Sequence, residues 1–116
     1  IDYINAHGTS TPVGDLAELD AINQFYGDSA PDHFACGLKS MFGHMLGAAG
    51  SVELILSVQS LLHQIIPPTI NCEHPEESAR FKIVRDRPQP QAMQYVLKNS
   101  FGFGGTNACL LLKKCD

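Results

Sequence analysis

The sequence predicts a mixed α/β layered fold. Short apolar strands alternate with helical stretches before a closing cluster of strands. Three glycine-rich turns follow strands, and open α/β sheets place their sites at the carboxyl ends of strands. The 116 residues suffice for one compact domain, and a hydrophobic content of 44% is that of a globular chain.

Taken in order, Ile1 to Ala6 reads as a strand and His7 to Gly14 as a turn dense in Gly, Thr, Ser and Pro. Pro12 suits a first helical turn, with Thr11 as N-cap. Leu16, Leu19, Ile22 and Phe25 recur at helical spacing, and Gly27 stops the helix. Asp15 and Glu18 near its start complement the helix dipole. Asp28 to Asp32 is loop and His33 to Leu38 a second strand. A long apolar helix spans roughly Gly47 to His63 and ends at Pro67 and Pro68; being apolar on most faces, it is expected to be buried in a larger fold. Ile70 to Ala79 is polar loop, Phe81 to Val84 an edge strand, and Asp86 to Pro90 a surface turn. Tyr95 to Ser100 and Ala108 to Leu112 are the last strands, which makes a mixed sheet of about five.

The net charge of -4 excludes a protein that tracks a phosphate backbone, so nucleic acid is not expected as a partner. No uninterrupted apolar run approaches the roughly 20 residues of a bilayer span. Cys36, Cys72, Cys109 and Cys115 form neither a CxxC pair nor a zinc-ribbon spacing; they read as reduced thiols of an intracellular protein. Cys72 and His74 are close, but no second pair at ligand spacing accompanies them, so no metal site is assigned. Ile1 starts a strand-like stretch without an initiator Met, and the sequence reads as part of something longer.

Three segments could carry chemistry. In Asn5 to Asp15, His7 sits where a strand gives way to a turn, with the hydroxyls of Thr9, Ser10 and Thr11 available to a polar ligand arm; a helix-capping turn with a surface His is the competing reading. In Lys39 to Gly50, a helix N-terminus favours anions, and a neutral His44 there would donate a hydrogen bond to a developing oxyanion. Lys39 and Glu53 make more sense as a buried pair than as isolated charges. Close packing explains the Gly and Ala of this segment but neither His44 nor Lys39. In Asn99 to Asn107, three glycines around Phe101 and Phe103 suggest an apolar gate on a hinge, or backbone N–H groups for an oxyanion. A long hairpin turn is the alternative. A P-loop is not, since the segment lacks its Lys and leads into no helix.

Together, in this order and spacing, the three segments resemble the β-ketoacyl synthases of fatty-acid and polyketide synthesis, within the thiolase-like superfamily. The similarity runs over essentially the whole chain and corresponds to the C-terminal half of such an enzyme. The Thr9-Ser10-Thr11 version is closer to the separate type II condensing enzymes. The resemblance implies that His7 and His44 assist decarboxylation of a malonyl thioester and stabilise its enolate. It implies that Lys39 supports them and that Glu53 is its acidic partner. It implies that Thr9 and Thr11 contact the phosphopantetheine arm of an acyl carrier protein, and that Phe103 is a gate whose N–H joins the oxyanion hole. Phe101, Gly102 and Gly104 complete the substrate-binding set. No cofactor of the enzyme's own is implied, since the phosphopantetheine belongs to the carrier substrate.

Asn5, Glu53 and Asn99 fall where some members hold a structural monovalent cation, but Lys98 replaces a small polar residue often found there. The family's cysteine nucleophile belongs to the N-terminal half. None of the four cysteines here opens an apolar helix, so the 116 residues alone are expected to be inactive in condensation. The implied partners are acyl carrier protein, acyl and malonyl thioesters, the N-terminal half and a second copy in a homodimer. The expected location is cytoplasmic, with a mitochondrial or plastid matrix as the alternative. A non-catalytic, chain-length-factor-like subunit is the competing function, and retention of both histidines argues against it.

Overall fold

A computed structural model describes residues 1–115. Its main sheet has four strands in the order β2-β1-β5-β6: β1 is Tyr3–Ala6, β2 Phe34–Gly37, β5 Tyr95–Phe101 and β6 Asn107–Lys113. β1 runs parallel to β2 and to β5, and β6 turns back antiparallel on β5. Helix α1 (Pro12–Tyr26) links β1 to β2. The one-turn helix α2 (Lys39–Phe42), a 3₁₀ turn (Leu46–Ala48) and helix α3 (Ala49–His63) follow β2. A two-stranded ribbon joins β3 (Ile65–Ile66) to β4 (Gln89–Pro90).

All four residues of β1 are buried, as befits a parallel strand covered on both faces. The period-2 alternation sorts them. Ile4 and Ala6 meet Ile22, Tyr26, Ala30 and Ala35 on the α1 side, whereas Tyr3 meets Phe34, Leu61, Met93 and Val96 on the α3 side. β5 alternates likewise: Lys98 lies on the α3 face, where it pairs with Glu53, and Asn99 on the α1 face, where it reaches Glu18. This alternation delivers one buried carboxylate to the site from each helical layer.

Several expectations change. The fifth strand is reduced to a single bridge, Phe34 to Lys82, in which Lys82 N donates to the His33 carbonyl (2.8 Å) and Ala35 N to that of Lys82 (3.1 Å). The buried stripe of α1 is Glu18, Leu19, Ile22 and Tyr26, with Leu16 and Phe25 exposed, so the helix is rotated from the apolar spacing. Thr11 precedes α1 but its hydroxyl does not cap it; the Asp15 carboxylate instead accepts from Ser10 N (3.0 Å). Gly27 ends α1 with a positive φ, as expected, and Asp28 to Asp32 winds into a 3₁₀ turn. Helix α3 stops before the prolines, at Gln64 in the left-handed conformation, whose side chain bonds Met93 N (2.7 Å) and O (3.0 Å).

Helix α3 is amphipathic the wrong way round for this chain on its own. Glu53, Ser57 and Ser60 face the sheet, while Ile55 and Leu62 are 60% and 62% exposed. Leu46–His63 is long and apolar enough to cross a membrane by length and composition alone, but its polar positions are committed to the sheet. Leu110 and Leu111 of β6 add further uncovered apolar surface. Both faces have the character of a surface made to be covered by more protein. Cys36 is a core residue: Val84 N donates to its sulfur (3.2 Å), and burial pushes the thiol up to about 12.

Candidate active site

The site forms where β1 and β5 end. His7 follows β1 and is half-buried. Its ring centroid lies 5.8 Å from that of His44, edge to face, and 5.4 Å from that of Phe101. The turn that carries it needs a glycine: Gly8 has φ +46°, a conformation strained for any L side chain, with the Gly37 backbone only 3.4 Å from where a Cβ would sit.

Lys39 is buried at the start of α2 and its three ammonium hydrogens have three destinations. It donates to the His7 carbonyl and to His7 Nδ1 (3.5 Å), and it pairs with Glu53 Oε1 (2.7 Å). With an ammonium at Nδ1, the proton of a neutral His7 sits on Nε2. His44 reaches the same tautomer by another route, since Leu46 N donates to its Nδ1 (3.1 Å). That donor belongs to the local turn; α3 begins only at Ala49, so the helix terminus expected at His44 is not what orients it. Two neighbouring imidazoles thus keep their Nε2 hydrogens free to donate.

Burial holds His7 below its ordinary value, and the Lys39 ammonium adds to this; Glu18 opposes it, Lys98 lowers it further, and Glu53 opposes it. Both effects favour the neutral donor over the imidazolium. Glu18, expected only as a helix-dipole residue, is part of this centre. Its carboxylate accepts from His7 N and Gly8 N (2.9 Å each) and from Asn99 Nδ2 (3.1 Å), fixing the turn to the end of β5. The signal was present in the sequence: Glu18 shares the inward stripe of α1 with Ile22 and Tyr26, and a carboxylate on such a stripe needs partners.

Glu53 is the buried partner of Lys39 that the sequence suggests, and it has a second: Lys98 Nζ lies 2.8 Å from Oε2. Lys98 also donates to the Asn99 carbonyl. The ammonium therefore stands among the oxygens where a monovalent cation was in question, and the residues present do not fit such a cation. Among the described residues, no cluster of three His, Cys, Asp or Glu side chains could hold a metal ion.

The glycine-rich segment is the hairpin turn between β5 and β6, closed by Gly102 N donating to the Thr106 carbonyl (2.7 Å), with Gly104 and Gly105 at φ +81° and +83°. The ring it sets against His7 is that of Phe101; Phe103 is wholly exposed at the tip. Thr9 and Thr11 share a hydroxyl contact (3.3 Å), and Thr9 lines an open cleft of about 670 Å³ with Gly8, Glu18, Lys39 and His44. The cleft is large enough for an extended polar arm.

The family description "Beta-ketoacyl synthase, C-terminal domain" matches residues 1–73. The chain is 49% identical over 115 residues to a 3-oxoacyl-[acyl-carrier-protein] synthase 2 of Vibrio harveyi, covering 98% of this chain and 28% of that protein. It is 48% identical over 114 residues to synthase 1 of Escherichia coli K12, with the same coverages. Among solved structures, the ishigamide ketosynthase/chain length factor superposes with a TM-score of 0.93 at 36% identity, over 100% of this chain and 28% of that one. A type II polyketide ketosynthase in complex with its acyl-carrier protein superposes with a TM-score of 0.94 at 31% identity, over 99% and 28%. The chain thus spans little more than a quarter of the length of these relatives. Fold, site geometry and similarity agree: this chain belongs to the β-ketoacyl synthase family, in the region of its C-terminal domain.

Proposed function

We propose that the chain supplies the decarboxylation and oxyanion side of a 3-oxoacyl-[acyl-carrier-protein] synthase. The observation that carries the reading is the pair of neighbouring imidazoles, each with Nδ1 already engaged by a donor. A malonyl thioester on acyl carrier protein enters with its carbonyl oxygen near the two Nε2 hydrogens. Its carboxylate leaves as CO₂, and the electron pair released forms an enolate whose oxygen the imidazoles stabilise. The enolate carbon attacks an acyl thioester held on a cysteine of the N-terminal part of the enzyme, displaces the thiolate and yields a β-ketoacyl thioester two carbons longer.

Lys39 and Glu53 orient His7 in this scheme. Thr9, which lines the cleft, and Thr11 contact the phosphopantetheine arm, and Phe101, Gly102 and Gly104 complete the substrate-binding set. Phe103 gates the entrance. The uncovered faces of α3 and β6 receive the rest of the enzyme and a second copy. We place the enzyme in the cytoplasm.

The competing reading is a chain-length-factor-like subunit, which needs neither histidine. Decarboxylation of malonyl-acyl carrier protein by the full-length product of the gene, with its reactive thiol blocked, separates the two. Losing an oxyanion donor costs about 10²–10³-fold in kcat at comparable sites, and His7→Ala and His44→Ala are each expected to lose that much. Decarboxylation at the unsubstituted rate in both variants would leave the subunit reading standing.

A further inference from the structure

We infer that Lys98 is a tethered cation: its ammonium fills an oxygen-lined position that would otherwise demand a free monovalent cation, and from there it holds Glu53 against Lys39 and His7. Lys98 is 2% exposed, as is Glu53. Its Nζ lies 2.8 Å from Glu53 Oε2, an ion pair with both side chains almost wholly out of water. Its other contact is a main-chain carbonyl, that of Asn99. Asn5 is its register partner across β1 and β5, on the same face of the sheet. Carboxylate and carbonyl oxygens are ligands that hard cations take, and the ammonium meets one of each.

The charges lead to the same place. Glu18 and Glu53 approach this centre from opposite layers, and Lys39 and Lys98 balance them. With Lys98 neutral, the buried group would carry one uncompensated negative charge, which is costly away from water. A free cation added beside Lys98 would leave one excess positive charge. The connection to His7 is short: Lys98 holds one oxygen of Glu53, Lys39 holds the other, and Lys39 touches both the carbonyl and Nδ1 of His7. Lys98 is therefore a positioning residue, and only this last link rests on the catalytic reading.

The test compares the full-length protein with its Lys98→Ala and Lys98→Met variants in potassium, ammonium and choline chloride at equal ionic strength. The unsubstituted protein is expected to melt at one temperature in all three salts. Lys98→Ala opens the position, and its midpoint is expected to be about 2–4 °C higher in potassium or ammonium than in choline, because a cation that binds only the folded state stabilises it. Folding in potassium but not in choline would be the same result in stronger form. Indifference of the alanine variant to the cation, or equal cation sensitivity of the unsubstituted protein, overturns the inference. If the alanine variant folds in no salt, Lys98→Met decides, since it keeps the volume without the charge. The titration of His7, followed by NMR, is expected to move up in that variant as a positive neighbour is lost, and an unmoved His7 overturns the positioning role. None of these readouts uses turnover, so a failure of the condensation reading would not produce or conceal them.

Discussion

Two regions of the site, joined by β5, are built on opposite terms. At the base of the strand, Glu18, Lys39, Glu53, Lys98 and Asn99 are buried and tied to one another and to His7. Four residues beyond Asn99, Phe103 is bare to solvent on a turn closed by one hydrogen bond. The first region fixes donors before any substrate arrives, which is how preset electrostatics lower a barrier. The second leaves backbone free to move, which is what a gate requires. Substitutions should therefore divide cleanly: changes at the base should register as stability and ionisation, and changes at the tip as turnover alone.

Glu53→Ala should cause the largest loss. It leaves two buried ammoniums without their shared carboxylate, and breaking a buried pair from one side costs about 3–5 kcal/mol. Chemical denaturation of the full-length protein should show a midpoint lowered accordingly. A loss under about 1 kcal/mol, the range of an exposed pair, would mean that water reaches the cluster and that the two regions are less distinct than their burial implies.

The base was readable in the sequence only where a residue type was out of place. His44 and Lys39 among small residues, and Glu53 in an apolar helix, each demanded a partner, and the structure supplies one: a backbone N–H for His44 and a buried ion pair for the other two. Glu18 was equally out of place but was hidden because Leu16, Leu19, Ile22 and Phe25 offered a plausible stripe of their own. Of that stripe only Leu19 and Ile22 are buried, and Leu16 and Phe25 are exposed. The partners of Lys98 could not be read at all, since they depend on register: pairing with Asn5 places Lys98 on the α3 face, and a shift of one residue would have sent it to α1. The edge strand at Phe81 to Val84 failed for a different reason. Local propensity was met, but only Lys82 forms a backbone bridge to β2, while Val84 meets Cys36 through its sulfur, so one bridge forms where a ladder was expected.

A smaller effect should follow pH. His7 titrates below its ordinary value in the folded protein, whereas in the unfolded chain it titrates near 6.5. Above that pH both states hold it neutral and the stability is intact. As pH falls through 6.5 the unfolded chain takes up the proton first, and stability declines until the lowered folded value is reached. The difference in midpoint between the unsubstituted protein and His7→Gln, measured from pH 8 to pH 5, should therefore be flat above 6.5 and change below it, with the unsubstituted protein losing more. A flat difference across the whole range would place His7 in contact with water, outside the bonded base.

The smallest effect on stability belongs to Phe103→Ala, and it is the sharpest test of the division. A fully exposed side chain with no packing to lose should change the folding free energy by no more than about 0.5 kcal/mol. If the tip is a gate, kcat/KM for the carrier-bound malonyl thioester should nevertheless fall, with the His7 titration unmoved. Phe101→Ala is the natural control one turn lower, because its ring lies 5.4 Å from that of His7 and its removal changes what buries the imidazole. That variant should shift the His7 titration toward the ordinary value as water replaces the ring. If Phe103→Ala also shifted it, the tip would close onto the base in solution, and gate and donors would be one unit. If neither substitution altered turnover, the hairpin would be a plain turn, and the flexibility of Gly104 and Gly105 would serve only to reverse the chain.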